Sequence, residues 1–290
     1  MQHPSNKILM ATLISILSTN LSAEMLKQRG YDEKKHTKTI KHSPIILEEV
    51  KPTTDRFEVD YSYDTLSPNN INGNWNTLMM TNYQKIEDGL TMLYQIGLFQ
   101  RDSEDAGLAS IGAYKNWTDT FYTFSQVTSG TSSEYLPSFR VDNDFNFKFG
   151  KDKNIVYVLG LTYTNAHDDH SDKIISTGLT YYAPMYNMSY RFFSNQSDPG
   201  KVVSYSHTFS AGYGKEKWQW IYLNLSFGNP AYLSTTSNDF KEVKQNAKNI
   251  QIDYRKWTSN STGLYGSLGY FNLSDGYKKN HLKIGYFAEY

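Results

Sequence analysis

Apolar and polar residues alternate along most of this chain with a period of two, the pattern of strands that have one oily and one wet face. It is clearest over His281–Tyr290, where Leu282, Ile284, Tyr286, Ala288 and Tyr290 share one side. Lys283, Gly285 and Glu289 fall on the other, with Phe287 as the one apolar residue among them. Earlier runs repeat the theme. Phe57, Val59, Tyr61 and Tyr63 alternate with Glu58, Asp60, Ser62 and Asp64. Phe139, Val141, Phe145, Phe147 and Phe149 oppose Arg140, Asp142, Asp144, Asn146 and Lys148. Ile221, Leu223, Leu225 and Phe227 face away from Trp220, Tyr222, Asn224 and Ser226, and Ile250, Ile252 and Tyr254 face away from Gln251, Asp253 and Arg255. Leu90, Met92, Tyr94, Ile96 and Leu98 alternate likewise, as do Ile155, Tyr157, Leu159, Leu161 and Tyr163 in the run Ile155–Thr164, and Met188, Tyr190 and Phe192. With the less regular runs near 74–84, 106–115, 117–127, 173–183, 202–213 and 263–272, the pattern predicts about fourteen strands, within a range of roughly twelve to sixteen.

Such strands suit either a soluble sandwich or a transmembrane barrel. Ten residues at about 3.3 Å each, tilted by roughly 40°, climb about 25 Å, the height of the apolar band of an outer-membrane barrel. A one-residue slip of the last strand would turn Lys283 toward hydrocarbon, at roughly 2–4 kcal/mol near the midplane. Connection lengths separate the two architectures. Every second connection (65–73, 102–105, 128–134, 165–172, 195–201, 229–247 and 274–277) belongs to a set that holds the longest ones. The intervening ones (87–89, 115–116, 151–154, 184–185, 214–217 and 259–262) are mostly tight. Long outer loops and short periplasmic turns sort in this way, which predicts an all-β fold: a transmembrane antiparallel up-and-down β-barrel over residues 56–290, with both ends in the periplasm.

The N-terminal stretch fits export. Lys7 precedes the apolar run Ile8–Leu17, and Leu21-Ser22-Ala23 resembles a cleavage site, so residues 1–23 are expected to be a signal peptide removed after Ala23. Residues 24–55 are polar, aperiodic and interrupted by Pro44 and Pro52, and are expected to form a flexible periplasmic tail. Composition narrows the partners. Lys plus Arg equals Asp plus Glu at 29 each, so no global field favours nucleic acid. There is no cysteine, which excludes disulfides, thiolate metal sites and a lipid-modified N-terminal cysteine. The 24 tyrosines match aromatic girdles at two membrane interfaces, with lipid and lipopolysaccharide as neighbours.

Candidate chemistry is sparse. The wet faces assign Arg101, Arg140, Asp142, Asp144, Lys148, Arg191, Asp253 and Arg255 to the lumen, where opposite signs can pair and partly fill it. Ser204, Ser206 and His207, with Asp168 and Asp169 in a nearby loop, have the residue types of a lipid hydrolase or acyltransferase. Parity nevertheless puts His207 with Tyr205 and Phe209, opposite the serines, which argues against a nucleophile–base pair. His167-Asp168-Asp169-His170 offers metal-ligand types without fixed spacing; no metal and no cofactor is expected. The expected function is a non-enzymatic narrow channel or an export conduit for a polymer such as surface polysaccharide. The alternatives are an outer-leaflet lipid-modifying enzyme and an adhesin acting through 229–247.

Gly178-Leu179-Thr180-Tyr181-Tyr182, then Tyr190-Arg191-Phe192-Phe193, Ser204-Tyr205-Ser206-His207 and Gly212-Tyr213-Gly214 resemble the YaiO family of outer-membrane β-barrels, most strongly from Val156 to Phe227. The resemblance implies a Gram-negative outer-membrane location and no particular activity. Some members carry helical periplasmic repeats or sit near polysaccharide-export systems, but residues 24–55 are too short for repeats of about 34 residues each, and an export-system partner stays unidentified. Ile284, Tyr286 and terminal Tyr290 resemble the recognition signal of the β-barrel assembly machinery, so removing Tyr290 is expected to impair insertion.

Overall fold

An unpaired N–H or C=O in hydrocarbon costs several kcal/mol, so strands that cross a membrane must close on themselves. A computed structural model describes residues 55–67, 73–101, 104–133, 135–167, 170–229, 246–274 and 276–290. The expected leader with Ala23, the tail to residue 54, and Asp168 and Asp169 lie outside them, as do residues 230–245 of the long loop.

The described residues form fourteen strands: β1 (Arg56–Ser67), β2 (Asn74–Glu87), β3 (Leu90–Arg101), β4 (Glu104–Asn116), β5 (Phe121–Gly130), β6 (Phe139–Phe149) and β7 (Ile155–Asn165), then β8 (Ser171–Tyr182), β9 (Tyr186–Asp198), β10 (Val202–Lys215), β11 (Gln219–Gly228), β12 (Ala247–Trp257), β13 (Thr262–Leu273) and β14 (Lys278–Glu289). Each pairs antiparallel with its sequence neighbours, and β1 pairs with β14 from Arg56↔Glu289 to Ser67↔Lys278, which closes the barrel. Among the described residues no helix is long and apolar enough to cross a membrane.

The strands run further than their sequence patterns, and this corrects several connections. The expected outer loop 195–201 shrinks to 199–201 because β9 continues to Asp198, and 102–105 shrinks to 102–103. Lys115 and Asn116, expected in a turn, end β4, and the turn is 117–120. Beyond the hydrocarbon, backbone pairing still satisfies every N–H, so polar side chains do not stop a strand. The asymmetry between the two ends therefore rests on the connections 68–73, 131–138 and 229–246, which join strands at the same end.

Turn chemistry sets the other end. Gly89 at φ 81° makes the β2–β3 turn, a region that glycine enters without a Cβ penalty. Thr118 Oγ1 accepts from the Phe121 amide at 3.0 Å, and Ser259 Oγ from the Thr262 amide at 3.0 Å, so short hydroxyl side chains hold the β4–β5 and β12–β13 turns.

Register separates the faces. Outside, Ile252, Leu268, Leu282 and Tyr63 align across β12, β13, β14 and β1, with exposures of 51, 53, 40 and 36%. Large apolar side chains so exposed in a folded chain mark the surface that lipid covers. Inside, apolar side chains pack at the ends of the lumen. At the outer end Leu66, Trp75, Ala247, Leu273 and Tyr277 cluster, with Trp75 and Tyr277 edge to face at 5.5 Å. Phe287, the intruder on the wet face of β14, is fully buried near the periplasmic end, edge to face with Trp257 at 5.0 Å. Its ring lies where a Cβ on Gly263 would be.

Candidate functional site

The site with the most chemistry is the lumen wall. Arg191 of β9 reaches over β8 and β7 to Asp144 of β6, with Nη1–Oδ2 at 2.9 Å and Nη2–Oδ1 at 2.5 Å, and donates to Ser176 Oγ through Nε at 3.0 Å. This two-pronged pair needs a gap. Gly160 supplies it, because a Cβ there would run into Arg191, Ser176 and Asp144. Arg140 pairs along its own strand with Asp142 at 2.7 Å, and Thr162 donates to Asp142 at 2.7 Å.

Arg255 of β12 does not meet Asp253. It crosses β13 and β14 to Glu58 of β1 at 2.8 Å, over the rings of Tyr265 and Phe287, and Glu58 also pairs with Arg56 at 2.7 Å. Asp253 is held by uncharged donors instead: Asn224 at 2.5 Å, Gln251 at 2.8 Å and Ser267 at 2.5 Å. Lys148 sits 5.1 Å over the Tyr122 ring toward the periplasmic end. Arg101 lies between the rings of Trp75, at 4.5 Å, and Tyr135, at 4.4 Å.

Tyr135 comes from the outer connection 131–138, which turns inward. Tyr135 and Leu136 pack with Ala106, and the Tyr135 hydroxyl donates to the Glu104 carbonyl at 3.2 Å. Burial pushes that hydroxyl up to about 12, against the pull of Arg101.

Sequence reasoning missed three features here. Asp64 meets His281 at 2.6 Å and Lys279 at 3.3 Å, joining β1 to β14. Lys217 and Glu289 form an ion pair at the periplasmic rim. Asp172 accepts from Asn195 and Ser197 on β9. Asp64 lies on a wet face that the alternation marks, whereas Asn195 and Ser197 fall in the stretch 195–201 that hydropathy marks as a connection.

The candidate enzyme residues do not assemble. Ser206 pairs in register with Phe193, and His207 with Phe192 on the opposite face. His207 accepts or donates at Nδ1 to the Tyr190 hydroxyl at 2.8 Å and stacks on Phe227 at 5.0 Å, on the lipid side. His167 Nε2 lies 3.2 Å from the Gly130 carbonyl, and no group of three potential metal ligands occurs among the described residues. Ile284 and Tyr286 face outward on β14, and Tyr290 donates to Asn82 Oδ1 at 2.9 Å.

The model of the YaiO membrane β-barrel domain family matches residues 54–233. No curated protein matches this sequence. Among solved structures, the chain is similar to a bacterial polysaccharide outer membrane secretin (7% identity, TM-score 0.51, 82% of this chain and 98% of that one). It is also similar to the CymD monoaromatic hydrocarbon channel (7%, TM-score 0.50, 82% and 88%) and to an anion-selective porin from Comamonas acidovorans (11%, TM-score 0.46, 82% and 99%). At these identities the likeness extends to the fold alone.

Proposed function

From a chain that belongs to the YaiO family of membrane β-barrels and resides in the outer membrane of a Gram-negative bacterium, we infer a non-enzymatic channel that does not select by the sign of charge. The observation that carries this reading is that five basic side chains of the lumen pair with acidic ones: Arg191 with Asp144, Arg140 with Asp142, Arg255 and Arg56 with Glu58, Lys279 with Asp64. A pore that sorts ions keeps rings of one sign facing the path. Here the paired groups cancel within a few ångströms and leave only short-range fields. Polar solutes and water suit such a wall, and a conduit for an exported polymer such as surface polysaccharide is its narrower form.

The full chain in planar bilayers is expected to give discrete conductance steps, with a reversal potential near zero in a potassium chloride gradient. Silence across voltages and pH values would overturn the channel. The separation of Ser206 from His207 weighs against the lipid-modifying alternative, so lipid A mass spectra from cells with and without the protein are expected to coincide.

A further inference from the structure

One wall of the lumen differs from the rest. From its outer to its periplasmic end, β10 presents Ser204, Ser206, Thr208, Ser210, Gly212 and Gly214 inward. Register sets Thr208 beside Arg191 and Ser226, and Ser210 beside Ser189 and Asn224. Between Arg191 on one side and Asp253 on the other, the inward positions from Ser206 to Ser210 and their partners on β11 carry no charge. Among the described residues the side chains of Ser206, Thr208, Ser210, Ser189 and Ser226 have no hydrogen-bond partner, and all are partly exposed.

At the foot of this ladder the surface changes from hydroxyl to ring. Gly212 removes a side chain, and the Tyr222 ring occupies the space, since a Cβ at Gly212 would run into it. Trp220 stacks on Tyr222 at 5.4 Å and 24°, and Asn187 Nδ2 donates to the Tyr222 hydroxyl at 3.4 Å. The Trp220 indole N–H is buried with no acceptor among the described residues. A donor left in that state costs free energy until an acceptor arrives.

We propose that this wall is a binding track for an uncharged oligosaccharide, with Trp220 and Tyr222 as its platform and the β10 hydroxyls as its rungs. A pyranose has an apolar C–H face that packs on an aromatic face and a rim of hydroxyls that both donate and accept. Ser and Thr hydroxyls also do both, so they exchange partners with a sliding ring without leaving any polar atom bare. Alternate residues on a strand stand about 6.6 Å apart, a spacing that a chain of sugar rings can bridge from rung to rung. Charged rungs would hold their water more tightly and cost more to strip. The platform lies at the periplasmic end, so the track rests on the channel reading for its direction, from periplasm outward, but not for the binding itself.

The test is equilibrium binding of maltohexaose and of hexamers of mannose and N-acetylglucosamine to the full chain in detergent micelles, read by saturation-transfer NMR. At least one neutral hexamer is expected to bind. Trp220→Ala is expected to weaken it roughly tenfold, the loss of one ring stack, and Thr208→Val with Ser210→Ala to weaken it without touching the platform. Trp117→Ala, in an exposed periplasmic turn, is expected to leave binding unchanged. A galacturonate hexamer is expected to bind no more tightly. Heat-modifiable mobility on gels reports whether each variant is folded, and the β10 double variant stands in if Trp220→Ala is not. Absence of binding by every neutral hexamer, or binding indifferent to the β10 double variant and to Trp220→Ala, would overturn the track. Conductance without saccharide binding removes the track and keeps the channel, whereas binding without conductance keeps the track and removes the open pore.

Discussion

At the residue scale, the lumen is governed by where glycine lets a long side chain pass. Arg191 reaches Asp144 because Gly160 leaves room for its guanidinium. Period-two alternation assigned both residues to the wet face, but it could not pair them. Partners across intervening strands depend on how far each strand is staggered against the next, and the run Ile155–Thr164 carries no mark of that stagger. Arg255 shows the same limit, since its mate is Glu58 of β1 and not Asp253, two residues away on its own strand. Arg191→Met is expected to lower stability by about 1–2 kcal/mol, between the values of exposed and buried pairs because both partners are part-exposed. Adding Asp144→Asn should restore part of that loss by neutralising the stranded carboxylate. Urea unfolding in micelles reads both. Gly160→Val should mimic Arg191→Met, as the new side chain would occupy the guanidinium's place.

At the element scale, strands were legible and their ends were not. All fourteen strands have an alternating core that can be read from the sequence, but β9 and β10 extend through polar residues up to Asp198 and from Val202. Hydropathy cannot mark an end where pairing continues in water. The inward fold of 131–138 was also hidden, because Tyr135 and Leu136 look like ordinary loop residues until Arg101 is placed beneath them. Here pH provides a check. A tyrosine normally titrates near 10, and Tyr135 in its docked place does so at about 12. Below pH 10 it is neutral in both states and docking is at full strength. Between about 10 and 12 the undocked form loses its proton more readily, so docking weakens as pH rises. Proteolysis at 131–138 is therefore expected to accelerate over that window and not below it. Arg101→Ala should raise susceptibility already at neutral pH, and equal cleavage of both proteins would count against the clamp.

At the scale of the whole molecule, the two terminal strands are bound by more than their backbone ladder. Glu58 ties β1 to β12 through Arg255, and Asp64 ties β1 to β14 through His281 and Lys279. Both sit on the sheet's wet face, across the seam between the first and the last strand. Glu58→Gln with Asp64→Asn is expected to lower the temperature at which the protein shifts mobility on heating in detergent, while Lys85→Gln, on an exposed turn pair, should not. The signal peptide and tail that the N-terminus suggests are open to direct measurement by sequencing the mature N-terminus.

The pairing of β1 with β14 has a consequence for biogenesis. The first strand waits for β14, which the ribosome makes after every strand between them, so an intermediate that lacks β14 leaves both margins bare. A nascent polypeptide halted halfway would offer two ragged borders to whatever chaperone holds it. The cell thus has a simple criterion for a finished copy: a cylinder with nothing left to grip.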